Sequence, residues 1–91
     1  MTTQVINQRF TSRPPGSIYI GRPSKWGNPF VIGPDGDREE VIRLYTEWIK
    51  TQPTLLKAAQ TELQGRVLVC WCKPLPCHGD VLARIAEGEV V

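Results

Sequence analysis

The residues best suited to chemistry in this sequence sit together. Cys70, Cys72 and Cys77 are its three cysteines, and its single histidine, His78, adjoins the last of them. Three thiols and one imidazole are the ligand inventory of a closed zinc site, here Cys70, Cys72, Cys77 and His78. An odd number of cysteines packed this closely is a poor disulfide framework, which points to metal binding or thiol chemistry in a reducing compartment. The spacing argues against zinc. Alternate residues of a straight strand stand roughly 6.6 Å apart, whereas sulfur ligands in a zinc tetrahedron lie about 3.8 Å apart. Adjacent side chains such as those of Cys77 and His78 also diverge. The competing reading puts this pair at a helix N-terminus, where the macrodipole favours a thiolate and free N–H groups bind phosphate or carboxylate. Cys77 is then a nucleophile and His78 a base or a ligand contact, with Asp80 beside them in the candidate catalytic set. The plain structural alternative packs Cys70 and Cys72 as small apolar side chains at a strand end, and it is the favoured one for Cys70.

A second cluster lies at residues 21–30. Arg22 offers a planar fork, Lys25 a point charge, Ser24 a hydroxyl and Asn28 an amide. Gly21 and Gly27 allow close backbone approach, so the set suits a phosphate. Trp26 is placed to stack a nucleobase. The loop matches neither the Walker pattern nor the dinucleotide fingerprint. In the structural alternative, Trp26 and Phe30 pin the loop to the core while Asn28-Pro29 makes a turn. Charge patterning bears on the choice. Arg9, Arg13, Arg22 and Lys25 are the charged residues of the first 34 positions, whereas seven basic and nine acidic residues follow. An acid-free segment attracts an anion, but four charges are too few for extended duplex binding. They serve equally as ordinary solvated charges.

The elements that must carry these clusters follow from periodicity. Val5-Ile6 and residues 17–21 read as short strands, the second bounded by glycines. Four glycines and three prolines over residues 21–36 make a long punctuated loop, kept ordered by Trp26, Phe30, Val31 and Ile32. A helix is predicted from Asp37 to about Lys50, with Glu40 completing a capping-box-like start and Val41, Ile42, Tyr45, Trp48 and Ile49 on its buried side. A second helix runs from Pro53 to about Leu63, with Gly65 past its end. Residues 66–71 form a nearly continuous apolar run, suited to a central strand covered on both faces. The last helix is expected to begin near Gly79-Asp80, to bury Val81, Leu82, Ile85 and Ala86, and to end at Gly88.

The order β-β-α-α-β-α predicts one small α/β domain over residues 1–91, a short sheet of three or four largely parallel strands with about three helices. Ligands collect beyond the carboxyl ends of such strands. If strands 17–21 and 66–71 are parallel neighbours, Arg22, Lys25, Asn28, Cys77, His78 and Asp80 face one another across a single cleft.

A chain of 91 residues supports a modest core, for which a metal or an oligomer would be an added staple. An apolar fraction of 41% excludes wholesale disorder. No apolar run approaches the ~20 residues that span a bilayer, and the N-terminus lacks a signal pattern. The expectation is a cytosolic protein with no membrane partner.

Tyr19-Ile20-Gly21-Arg22, Lys25-Trp26-Gly27-Asn28-Pro29-Phe30, Cys70-Trp71-Cys72 and Pro76-Cys77-His78-Gly79-Asp80 together resemble the DUF4326 family, over roughly positions 5 to 87. The resemblance implies a small phage or bacterial protein, working in the host cytoplasm where phage-encoded, and brings no activity with it. Two function classes stand. One is a domain, with or without catalysis, that binds a phosphate-bearing small molecule or nucleic acid between the basic loop and the Cys-His segment. The other is a zinc-stabilised, non-catalytic adaptor that binds a protein or nucleic acid.

Overall fold

The computed structural model describes residues 3–7, 15–22, 24–71, 75–89 and 91. Three parallel strands, β1 (Gln4–Asn7), β2 (Ile18–Tyr19) and β3 (Val67–Cys70), form one sheet in the order β1-β3-β2. Val5 and Ile18 both stand in register with Leu68, and the ladder continues past β2 through Ile20 N–H donating to the Val69 carbonyl at 3.0 Å. Central placement explains the unbroken apolar run of β3. Leu68, Val69 and Cys70 are at most 1% exposed, although successive side chains point to opposite faces.

Parallel neighbours need a long crossover. Between β2 and β3 it is supplied by α1 (Arg38–Lys50) and α2 (Pro53–Glu62), and α3 (His78–Ala86) follows β3. Helix α1 opens with Asp37 Oδ1 accepting the Glu40 N–H at 2.9 Å. The expected capping box forms by half, because the Glu40 carboxylate is taken by the Arg43 guanidinium one turn on. Val41, Tyr45 and Ile49 recur every four residues and are buried, while Ile42 and Trp48 form a half-buried shoulder. Pro53 occupies the first turn of α2, where its missing N–H costs nothing. Gly65, at φ +72°, turns the chain into β3. The buried stripe of α3 is Val81, Leu82, Ile85 and Ala86, as its 3.6-residue period requires.

Helix α3 packs on β1 and β3, and α1 and α2 pack on α3 and on each other. The core between them is built from Ile20, Tyr45, Ile49, Leu63, Leu68, Leu82 and Ile85. The first turn of α3 sits especially close to the sheet. A Cβ on Gly79 would lie 2.6 Å from Ile20 Cδ1 and 2.9 Å from Val5 Cγ1. Ile20 is wholly buried and has little room to move. We therefore expect Gly79→Val to lower the unfolding free energy in urea by about 1–3 kcal/mol, the usual cost of overpacking. Unchanged stability would mean that α3 is not seated at this distance.

Candidate functional site

Because β2 and β3 run parallel as neighbours, the chain leaves both at one edge of the sheet. The basic loop departs from β2, the Cys-His segment from β3, and a cleft of about 420 Å³ opens between them. The loop lends it Arg22 and Asn28, α1 lends Arg38, β3 lends Cys70, and the start of α3 lends Cys77 and His78. The condition for a composite site is met in the strand topology.

Cys77 is the N-cap of α3, whose first residue, His78, comes one position before the expected Gly79. Its Sγ accepts the Gly79 N–H at 3.2 Å, and Asp80 Oδ2 accepts the Cys77 N–H at 3.1 Å, closing a capping box with sulfur in place of the usual hydroxyl. His78 is buried, and its Nε2 lies 2.7 Å from the carbonyl oxygen of Ile20. A carbonyl only accepts, so Nε2 carries the proton and donates. Burial is the main force holding the imidazole below its ordinary pKa, with the nearby Arg22 charge adding to it. The bond to Ile20 and the Asp80 carboxylate act in the opposite sense.

A neutral ring with its proton on Nε2 leaves Nδ1 unprotonated, 3.8 Å from Cys77 Sγ. The expected divergence of these adjacent side chains is thereby overturned at this position. Cys77 is extended, at φ −148° and ψ 153°, whereas His78 is already helical, and the change of backbone conformation swings the two together. The edge of the Tyr45–His78 ring pair, 5.2 Å between centroids at 73°, completes the wall around the imidazole. Chemically, the pair combines a thiol with an unprotonated imidazole nitrogen able to take its proton.

The remaining candidates divide. Trp26 is 3% exposed, and its own carbonyl accepts the Tyr45 hydroxyl at 2.9 Å, so its ring is core and not an open stacking platform. Lys25 turns from the cleft to pair with Glu62 on α2 at 3.0 Å. Ser24 Oγ closes its own turn onto the Gly21 carbonyl at 2.5 Å. Asn28 lines the cleft, yet both ends of its amide are engaged, Nδ2 with the Val41 carbonyl at 3.1 Å and Oδ1 with the Phe30 N–H at 2.9 Å. Asp80 caps α3 from outside the cleft lining. Of the zinc candidates, Cys70 and Cys77 are buried, and Cys72 lies outside the described residues. Among the described residues no three His, Cys, Asp or Glu side chains gather around a common point.

Two contributors escaped sequence reasoning. Arg38, the first residue of α1, reaches the cleft and donates to the Pro76 carbonyl at 3.2 Å. Trp71 leaves the end of β3 with 55% of its surface exposed, and its Nε1–H donates to the Tyr19 hydroxyl at 3.1 Å. Its position just past a run of buried strand residues was the available signal. Among the described residues, the charged side chains lining the cleft are those of Arg22 and Arg38, and no carboxylate lines it.

Two outcomes are expected from this geometry. The single histidine gives one imidazole titration by NMR, with a midpoint below about 6.5 and the Nε2–H tautomer at neutral pH. As pH falls through about 6.5 the unfolded chain takes up a proton before the folded one, so unfolding free energy drops on acidification. This component should vanish in His78→Gln. Cys77→Ser, which keeps an oxygen cap, should unfold close to the parent, while Cys77→Ala should lose about 0.5–2 kcal/mol.

A model of the family described as Domain of unknown function (DUF4326) matches residues 4–88. The chain is also 40% identical over 74 residues to an "Uncharacterized 12.4 kDa protein in nrdA-td intergenic region" of Enterobacteria phage T4, covering 77% of this chain and 67% of that protein. No solved structure matches. Among the described residues no helix is long and apolar enough to cross a membrane. On the family match and this relative, the chain belongs to the DUF4326 family, whose function its description leaves unassigned.

Proposed function

We propose that the cleft binds a small phosphate-bearing ligand of nucleotide size. The observation that carries this reading is that two arginines, on the loop after β2 and at the head of α1, line a cleft to which no carboxylate contributes among the described residues. Arg22 is exposed and its guanidinium has no ion-pair partner among the described residues, so its charge is available to an anion. Guanidinium forks match phosphate oxygens in plane and spacing. A volume of about 420 Å³ falls in the range of small-molecule pockets. Cys77 and His78 line the same space, and they are the pair that would act on a bound ligand in an enzymatic form of this function.

A second reading, a zinc-stabilised adaptor, draws on Cys77 Sγ and His78 Nδ1, whose 3.8 Å separation suits two ligands of one metal.

Calorimetric titration of the full chain with inorganic phosphate and 5′-mononucleotides tests the first. Arg22→Ala should weaken binding roughly tenfold or more, the value of a charge-assisted hydrogen bond. Lys25→Ala should leave it unchanged, with a shift in unfolding free energy below about 1 kcal/mol for its exposed ion pair. Binding lost in Lys25→Ala and kept in Arg22→Ala would reverse the assignment. Stoichiometric zinc whose removal unfolds the chain, together with no anion binding, would favour the adaptor.

A further inference from the structure

Trp71 is the feature of the cleft that anion binding leaves unexplained. Over half of its surface is exposed, in a chain that buries Trp26 to 3% and has few large apolar side chains to spare. The ring is nonetheless held in place. Its indole N–H donates to the Tyr19 hydroxyl at 3.1 Å, and that hydroxyl donates to the Arg22 carbonyl at 3.2 Å. One chain of hydrogen bonds therefore fixes the tryptophan relative to Arg22, whose guanidinium lines the same cleft. Trp71, Arg22 and Arg38 all line the same cleft, as do the exposed Val31 and Ile32.

We propose that Trp71 is a stacking platform for a nucleobase, and that the ligand of the cleft is a 5′-mononucleotide with its phosphate toward Arg22 and Arg38. This rests on the anion-binding function above and narrows it from any phosphate ester to one bearing a planar aromatic base. A fixed, half-open indole offers a π-face at little ordering cost, since its position is already set before a ligand arrives. The adjacent cations supply the charge that a base alone does not need. The two arginines that line the cleft among the described residues match one phosphate group and not a phosphate chain, which favours a mononucleotide over a single strand. Tyr19 acts as a positioning residue, since it holds the indole and the Arg22 backbone together.

The test is calorimetric titration of the full chain with AMP, GMP, CMP and UMP, with ribose 5-phosphate and inorganic phosphate as base-free probes. Tryptophan fluorescence is followed in parallel. The parent should bind at least one nucleotide more tightly than ribose 5-phosphate, with quenching of the exposed, red-shifted emission. Trp71→Ala should lose between about 5- and 150-fold of nucleotide affinity, the span of single base–aromatic stacks. It should also lose the quenching, and leave ribose 5-phosphate binding unchanged. Trp71→Phe should recover most of the nucleotide affinity.

Equal binding of nucleotides and ribose 5-phosphate, or an unaffected Trp71→Ala, overturns the stacking role while the anion site stands. Failure of every phosphate probe removes both readings together. Tighter binding of a short single strand, with a salt dependence steeper than one phosphate explains, overturns the mononucleotide. Self-association of the parent that Trp71→Ala abolishes, with nucleotide binding intact, would assign the ring to a protein interface instead.

Discussion

The hydrogen bond from His78 Nε2 to the Ile20 carbonyl joins three separate pieces of this chain. Ile20 follows the edge strand β2 and leads into the basic loop, and its N–H is already paired to Val69 on the central strand. His78 opens the last helix, 58 residues later in sequence. The bond is buried, so its loss would strand a carbonyl or an imidazole without water to replace the partner. It sets the imidazole tautomer, and the tautomer in turn decides that Nδ1 faces Cys77 as an acceptor. Strand order, helix seating and the protonation state of the one histidine thus rest on the same contact.

Most polar groups near the cleft spend their hydrogen-bonding capacity on holding it open. Asn28 joins the loop to α1, Ser24 closes a turn, Asp80 and Cys77 cap α3, and Arg38 holds the segment before the cap. A loop of this length without secondary structure needs such ties, because its backbone has no ladder or helix to satisfy it. The consequence is a sparse chemical set. Among the described residues, Arg22, the remaining donors of Arg38, the Cys77–His78 pair and Trp71 are the groups lining the cleft that suit a ligand. Cys77 belongs to both groups, since one sulfur caps the helix and faces the imidazole.

The same economy shows in the glycines. At Gly79 the absence of a side chain lets the helix start rest against Ile20 and Val5. That close approach brings His78 within reach of the Ile20 carbonyl, just as a small residue at a strand–helix junction draws helix and sheet together in larger α/β folds. Gly21 leaves space of another kind. A Cβ there would fall 2.3 Å from the Tyr19 hydroxyl, the group that bridges Trp71 and Arg22.

Sequence periodicity by itself determined the elements. The β-β-α-α-β-α order, the buried stripes of α1 and α3, and the central rank of β3 follow from where apolar residues recur, because those intervals are set by backbone geometry. It also put Arg22 and the Cys77–His78 segment just after strands 17–21 and 66–71, while the parallel pairing that opens one cleft between them belongs to the fold. It could not apportion roles within a cluster. Lys25 and Arg22 look alike in sequence, yet one reaches an acid of α2 and the other the cleft. Trp26, open to either reading in the sequence, is core, and Trp71, at the end of the apolar run 66–71, is an open ring. Those outcomes depend on which face each loop turns to a distant element, and on the backbone change between Cys77 and His78. Such contacts join residues dozens of positions apart, and only the folded arrangement fixes them.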